Sequence, residues 1–224
     1  MALSNRLVMF DLDGTLLDTA GEIADSVNRT LSEAGQPEVA LDQVRDWIGH
    51  GTGWLMKTAW TSVAGEPDDD QWPSVMGRFM HHYLECCGTR STPYPGVVDA
   101  LTRLDEMGVI TAVVTNKESR YTQRVLRAHG LDTHFDLVIS GDTYTVKKPD
   151  PAVIYNCLKD AEADIERSLF VGDSSIDVRC AKAAGIPVWA VPYGYNMGRP
   201  ILESAPDRLI DSIADVLEFF KGKP

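Results

Sequence analysis

An apolar run, Leu7-Val8-Met9-Phe10, breaks directly into Asp11-Leu12-Asp13-Gly14-Thr15. This junction constrains the fold more than any other stretch. The run shows little alternation, as expected of a strand buried on both faces of a parallel sheet. Alternate residues of an extended chain share a face, so Asp11 and Asp13 are expected to project the same way. In open parallel sheets, sites form just beyond the carboxyl ends of the strands. A plain turn would use Asp and Gly for their conformation alone. A site would use one carboxylate as a nucleophile toward phosphorus and the other as an acid and base. The rest of the chain decides between the two.

After Leu16 the period changes. Thr19-Ala20-Gly21-Glu22 matches a capping box, and Ile23, Val27 and Leu31 follow at helical spacing as far as Gly35. Leu41, Val44 and Ile48 form a second helical stripe, and Trp54, Leu55 and Thr58 open a third. A fourth helix is predicted over residues 72–87. Residues 17–90 therefore read as all-helical. Pro93-Tyr94-Pro95-Gly96 is a turn and a domain boundary. Buried-strand runs then return at residues 109–114, 135–139, 168–171 and 187–191, separated by helical patterns. Regular alternation of strand and helix predicts a parallel sheet covered on both faces. The fold class is α/β, with a helical block inserted after the first strand.

Polar residues gather where these strands end. Asp11 and Asp13 follow the first, Thr115 and Asn116 the second, Lys148 lies beyond the third, and Asp173 and Asp177 follow the fourth. All are placed along one edge of one sheet, which turn chemistry does not explain. Two like charges about 4 Å apart repel by about 4 kcal/mol at an effective dielectric of 20. An oxygen-ligated divalent cation relieves that, and Mg²⁺ suits a few carboxylates plus a phosphate oxygen.

The chain carries a formal net charge of −12 over 224 residues, which argues against nucleic acid as a partner. A phosphorylated substrate then needs positive charge concentrated at the site, and Lys148 supplies some. Cys86, Cys87, Cys157 and Cys180 form no C-x-x-C pair and no zinc spacing. No signal peptide is read at Met1-Ala2-Leu3-Ser4, and no apolar run approaches the length of a membrane span. No membrane partner and a reducing cytoplasm are the expectations. Asp68-Asp69-Asp70 and His81-His82 read as solvated surface.

Four motifs in order, Asp11-Leu12-Asp13-Gly14-Thr15, Thr115, Lys148-Pro149 and Gly172-Asp173-Ser174-Ser175-Ile176-Asp177, resemble those of the haloacid dehalogenase superfamily. The resemblance spans the whole chain. It implies a Rossmann-like catalytic core, residues 1–16 and 91–224, and a helical cap, residues 17–90. It also implies that Asp11 attacks phosphorus and becomes an aspartyl phosphate, while Asp13 protonates the leaving oxygen and then activates water. Thr115 and Asn116 would hold the phosphoryl oxygens, and Lys148 would orient Asp11. Mg²⁺ would take the Asp11 side chain, the Asp13 carbonyl and Asp173, with Asp177 supporting its shell. The presence of Asp13 points to phosphate chemistry rather than dehalogenation.

Within the superfamily, Trp47-Ile48-Gly49-His50-Gly51, Lys147-Lys148-Pro149-Asp150-Pro151 and Tyr193-Gly194-Tyr195-Asn196 are similar to segments of bacterial phosphoglycolate phosphatases. The expected reaction is Mg²⁺-dependent hydrolysis of a small phosphorylated metabolite, 2-phosphoglycolate first. His50 is a candidate substrate contact, and Lys57 and Arg78 are the cap cations that could meet a substrate carboxylate. Hinges are expected near residues 16–18 and 90–93. Other sugar phosphates stay open as substrates, as does a mutase, which the motifs do not separate from a phosphatase. A receiver-type phosphate-binding module fits the inserted helices and Asp13 poorly. Phosphonoacetaldehyde hydrolysis needs a cap lysine, and Lys57 stands alone there in surroundings that do not match. Monomer and homodimer both remain open.

Overall fold

The computed structural model describes residues 5–221, so Met1-Ala2-Leu3-Ser4 lies outside the described residues. Its elements in chain order are β1 (Asn5–Phe10), β2 (Leu17–Asp18), α1 (Ala20–Glu33), α2 (Leu41–Trp47), α3 (Thr52–Ala64), α4 (Trp72–Cys86), β3 (Thr92–Pro93), α5 (Val97–Glu106), β4 (Ile110–Val114), α6 (Ser119–Ala128), β5 (Leu137–Ile139), α7 (Ala152–Asp160), β6 (Ala163–Gly172), α8 (Ser175–Ala184), β7 (Val188–Ala190), β8 (Arg208–Leu209) and α9 (Leu217–Phe220). Short 3-10 turns connect several of these.

One six-stranded sheet, ordered β5-β4-β1-β6-β7-β8, forms the centre. Its neighbours all run parallel, and β1 lies between β4 and β6, with Phe10 opposite Val113 and Val171. The apolar run explains that position. Val8 and Phe10 point into the core shared with α1, α5 and α6, whereas Leu7 and Met9 point into the core shared with α7 and α8. Period-two alternation thus divides one uniformly apolar run between two cores. All four residues are fully buried.

The chain leaves the sheet edge through β2 and returns through β3. These pair antiparallel, Leu17 with Pro93 and Asp18 with Thr92. Between them lie α1 to α4, whose buried faces include Ile23, Val27, Leu31, Val44, Leu55, Phe79 and Tyr83. No helix among the described residues is long and apolar enough to cross a membrane.

Five local expectations need correction. Leu17 and Asp18, inside the span expected to be all-helical, form β2 and pair with β3. Thr19 and Glu22 do not form a capping box, because Thr19 makes no side-chain cap to α1. Its hydroxyl instead donates to Asp13 at 2.7 Å, and the first turn of α1 is held by the Tyr195 hydroxyl, which accepts from the Thr19 and Ala20 N–H groups. Leu41 and Trp54 were expected on buried stripes but are 39% and 42% exposed. β6 starts at Ala163, earlier than the apolar run. The two-residue β8 at the sheet edge was not anticipated, since both of its residues are exposed and it lacks an apolar run.

Glu22, freed from capping, is fully buried, and Oε2 accepts from the N–H groups of Gly88, Arg90 and Ser91 at 2.9, 3.3 and 3.0 Å. It thereby fixes the exit from α4 onto the start of α1. Glu22→Ala is expected to cost about 3 kcal/mol, because three N–H groups, that of buried Ser91 among them, lose their acceptor. Glu22→Gln, which keeps one acceptor oxygen, should lose less. Thermal denaturation of the two variants checks the order.

Candidate active site

The ladder of β1 ends with the Asp11 N–H donating to the Val171 carbonyl at 2.9 Å. The chain then turns tightly, and the Leu12 carbonyl accepts from the N–H groups of Thr15, Leu16 and Leu17. Gly14 adopts φ +85°, and a Cβ there would strike Asp173 Oδ2 at 2.3 Å. A Cβ on Gly194 would meet the same carboxylate at 2.3 Å. Both positions need glycine so that backbone can close around Asp173. Thr15 Oγ1 donates to Asp173 Oδ1 at 2.7 Å, and the Tyr195 N–H donates to Oδ2 at 2.5 Å.

Asp177 sits at the start of α8. The Ser174 N–H and hydroxyl donate to its Oδ2 at 3.1 and 2.6 Å, closing a capping box that this helix does possess. Its Oδ1 accepts from Lys148 Nζ at 2.7 Å. The same ammonium pairs with Asp11 Oδ1 at 2.8 Å. Lys148 is 4% exposed. Burial works against its charge, but the Asp11 and Asp177 carboxylates prevail and raise its pKa.

Asp11 is pushed up to about 6 by burial, which Lys148 opposes and the charges of Asp177 and Asp13 reinforce. Burial, then Asp177 and Asp11, drive Asp173 well above the usual carboxylate range. The site thus holds more negative charge than Lys148 neutralises. One oxygen each from Asp11, Asp173 and Asp177 lies within 4.8 Å of the others, so the three could hold a metal ion. The donor set is all oxygen and anionic, which fits a hard divalent cation. Both Asp177 oxygens already have partners, which suits a supporting place. The Asp13 carboxylate is engaged by other partners.

Those partners include a residue that sequence reasoning passed over. Lys117 Nζ lies 2.8 and 3.0 Å from the two Asp13 oxygens. Lys117 is 4% exposed. Burial favours its neutral form, but Asp13 overrides this and keeps the pKa raised. Nζ also donates to the Tyr83 hydroxyl of α4. A lysine two residues beyond Thr115, at a strand end on the site edge, was the available signal.

Thr115 and Asn116 lie at the same edge. The Thr115 N–H extends the ladder to Ile139, at 2.9 Å. Asn116 Nδ2 donates to the carbonyls of Gly49 and Lys148 at 2.9 and 3.0 Å. Its amide therefore ties the α2–α3 junction to the sheet. Both protons of the Asn116 side-chain amide are thereby engaged within the protein.

A cleft with about 530 Å³ of empty space runs between sheet edge and helices. Asp11, Asp13, Thr115, Asn116, Lys117 and Asp173 form its polar wall, and Ile23, Trp47, Ile48, Leu55 and Tyr83 the helical one. Gly49 and Gly51 line it, but His50 is not among its lining residues. The His50 ring packs on Trp54 at 4.6 Å, and burial, then Arg179 and Lys147, hold its pKa low. Lys57 and Arg78 are also away from the cleft, paired with Glu66 and Glu33 at 3.2 and 3.7 Å. His81 and His82 lie beside Glu85 and Glu33, respectively, on the outside of α4.

Comparison with known proteins agrees with this architecture. The family model for haloacid dehalogenase-like hydrolases matches residues 8–191. The chain is 41% identical over 217 residues to phosphoglycolate phosphatase 1 of Pseudomonas aeruginosa, covering 95% of this chain and 78% of the relative. It is 36% identical over 211 residues to the phosphoglycolate phosphatase of Thiobacillus denitrificans, covering 94% and 93%. The crystal structure of a predicted phosphoglycolate phosphatase from Haemophilus somnus superposes with a TM-score of 0.92 at 33% identity, over 99% of this chain and 100% of that one. The chain belongs to the haloacid dehalogenase-like hydrolases and is similar to their bacterial phosphoglycolate phosphatases.

Proposed function

We propose that this chain hydrolyses a small phosphomonoester, 2-phosphoglycolate first, through an aspartyl phosphate on Asp11 and with Mg²⁺ as cofactor. One observation carries the reading. Asp11 and Asp13 line the same cleft, yet each is held by its own buried lysine, Lys148 and Lys117. Two carboxylates two residues apart are thereby given different surroundings, as different roles require.

In the first step an Asp11 oxygen attacks phosphorus and the bond to the leaving oxygen breaks. Asp13, protonated for this step, gives its proton to that oxygen, and the alcohol departs. In the second step the Asp13 carboxylate takes a proton from water, whose oxygen attacks phosphorus. The bond between Asp11 and phosphorus then breaks, releasing phosphate and regenerating both carboxylates in their starting states. Lys148 orients Asp11 and balances charge on the phosphoryl group, while Thr115 and the Asn116 main chain hold its oxygens. Asp11, the Asp13 carbonyl and Asp173 would hold Mg²⁺, with Asp177 behind them. When bound, the ion supplies Lewis-acid stabilisation of the phosphoryl oxygens.

On this reading residues 17–90 act as a cap over a core of residues 1–16 and 91–224. The β2–β3 ribbon supports a hinge there, since two short strands carry the chain both ways. The names of the relatives favour phosphoglycolate. A cytoplasmic location suits the four cysteines, which are all free.

Phosphate release from a panel of small phosphoesters, with and without Mg²⁺, tests the proposal. Preference for 2-phosphoglycolate is expected. Even turnover across sugar phosphates would discard the narrow substrate, and phosphoryl return to sugar without free phosphate would favour a mutase. Asp11→Asn is expected to lower kcat by more than about 10³-fold, since an amide forms no phosphoenzyme. Full activity in that variant would sink the mechanism. Asp13→Asn should stay folded, by circular dichroism, and lose about 10²-fold or more. EDTA should abolish activity, and added Mg²⁺ should restore it.

A further inference from the structure

We propose that Lys117 is a positioning residue for Asp13, and that Tyr83 on α4 completes the clamp from the helical wall of the cleft. The inference rests on the phosphatase reading and goes beyond it. Among the residues lining the cleft, Lys117 is the cation, so it could be taken for the group that grips an anionic substrate. Its hydrogen bonding says otherwise. An ammonium has three protons. Here they face Asp13 Oδ1, Asp13 Oδ2 and the Tyr83 hydroxyl, which leaves none for a ligand.

The three partners also define what Lys117 does. Asp13 receives Lys117 on both oxygens and the Thr19 hydroxyl on Oδ1. A carboxylate held by three such contacts does not swing freely, and its face toward the leaving oxygen is set before substrate arrives. Tyr83 is itself immobilised. It is 1% exposed, and its ring lies 4.4 Å from Tyr121 and 5.5 Å from Phe79. The Lys117 ammonium stands 4.9 Å from the Tyr83 ring centre as well. Asp13 and Lys117 belong to loops at the sheet edge, whereas Tyr83 belongs to α4. The aim of the acid–base group is therefore shared between the sheet and the inserted helices. A buried lysine is costly without partners, and this one is placed where its partners are the proton-transfer group and one helical hydroxyl.

The test uses two substrates that differ in their need for a proton. An alkyl phosphoester leaves as an alkoxide and needs one, whereas 4-nitrophenyl phosphate leaves as a stable phenolate. kcat/KM reports the steps up to the phosphoenzyme. Lys117→Met is expected to lower kcat/KM about 10²-fold for the alkyl ester and only severalfold for the nitrophenyl ester, the selectivity that loss of a positioned acid produces. Asp13→Asn should show the same selectivity, and adding Lys117→Met to it should cost little more, because the two act as a unit. Tyr83→Phe keeps the buried ring and guards against misfolding. It should shift the same ratio in the same direction by about threefold, the rate equivalent of one hydrogen bond.

Equal losses on both esters, no loss, or additive losses in the double variant would overturn the positioning role while leaving the phosphatase reading in place. An unchanged ratio in Tyr83→Phe would remove the helical half of the clamp. Wild-type silence on both esters would overturn the phosphatase reading and the positioning role with it.

Discussion

Four carboxylates and two ammonium groups at one sheet edge set the terms for the rest of the structure. Asp11, Asp173, Lys117 and Lys148 are each less than a tenth exposed, and Asp177 is fully buried. Removing such charges from water is expensive, and attraction between them repays the cost only when further hydrogen bonds satisfy the remaining atoms. The chain meets that condition group by group. Asp173 is enclosed by Thr15, the Tyr195 N–H and two glycines. Asp177 is tied to Ser174 and Lys148, and Asp13 to Lys117 and Thr19. The excess negative charge that remains is what a divalent cation could offset.

Tertiary contacts around this centre reuse a few loops. The segment after β7 shows how. Tyr193 packs on Tyr94 at 4.2 Å and donates to the Thr15 carbonyl. The Tyr195 main chain holds Asp173 while its hydroxyl holds the start of α1 and donates to Asp18. Asn196 accepts from the Ser175 N–H at 2.8 Å, at the start of α8. One loop thus braces the Asp173 carboxylate, the ribbon into the helical segment and the helix bearing Asp177. The α2–α3 junction is braced from the other side by Asn116 and Lys147, through the carbonyls of Gly49 and His50.

Much of this was legible before any coordinates. The apolar runs ending in Asp, Thr or Gly located the sheet edge, because a buried parallel strand leaves a plain composition signature. The residues at those ends identified Asp11, Asp13, Thr115, Lys148, Asp173 and Asp177, since strand order does not alter the fact that parallel strands end on one side. The misreadings were local. Thr19 and Glu22 carry a capping spacing, yet each is claimed by a partner outside the helix, Asp13 and the distant 88–91 backbone. His50 sits in a glycine-rich junction that reaches the cleft, but its ring turns to Trp54. Spacing along the chain does not report which competing partner wins.

By itself the sequence determined the fold class, the helical insertion after the first strand and the edge at which chemistry gathers. These follow from periodicity and chain order, which are properties of neighbours along the chain. Tertiary structure alone decided the pairing of charges: Lys148 with Asp11 and Asp177, Lys117 with Asp13 and Tyr83, and Lys57 and Arg78 with surface carboxylates instead of the cleft. A lysine looks the same in sequence whether its partner is water or a buried aspartate. Only packing, by removing water from some of these side chains and leaving it to others, makes one lysine part of a site and another part of the surface.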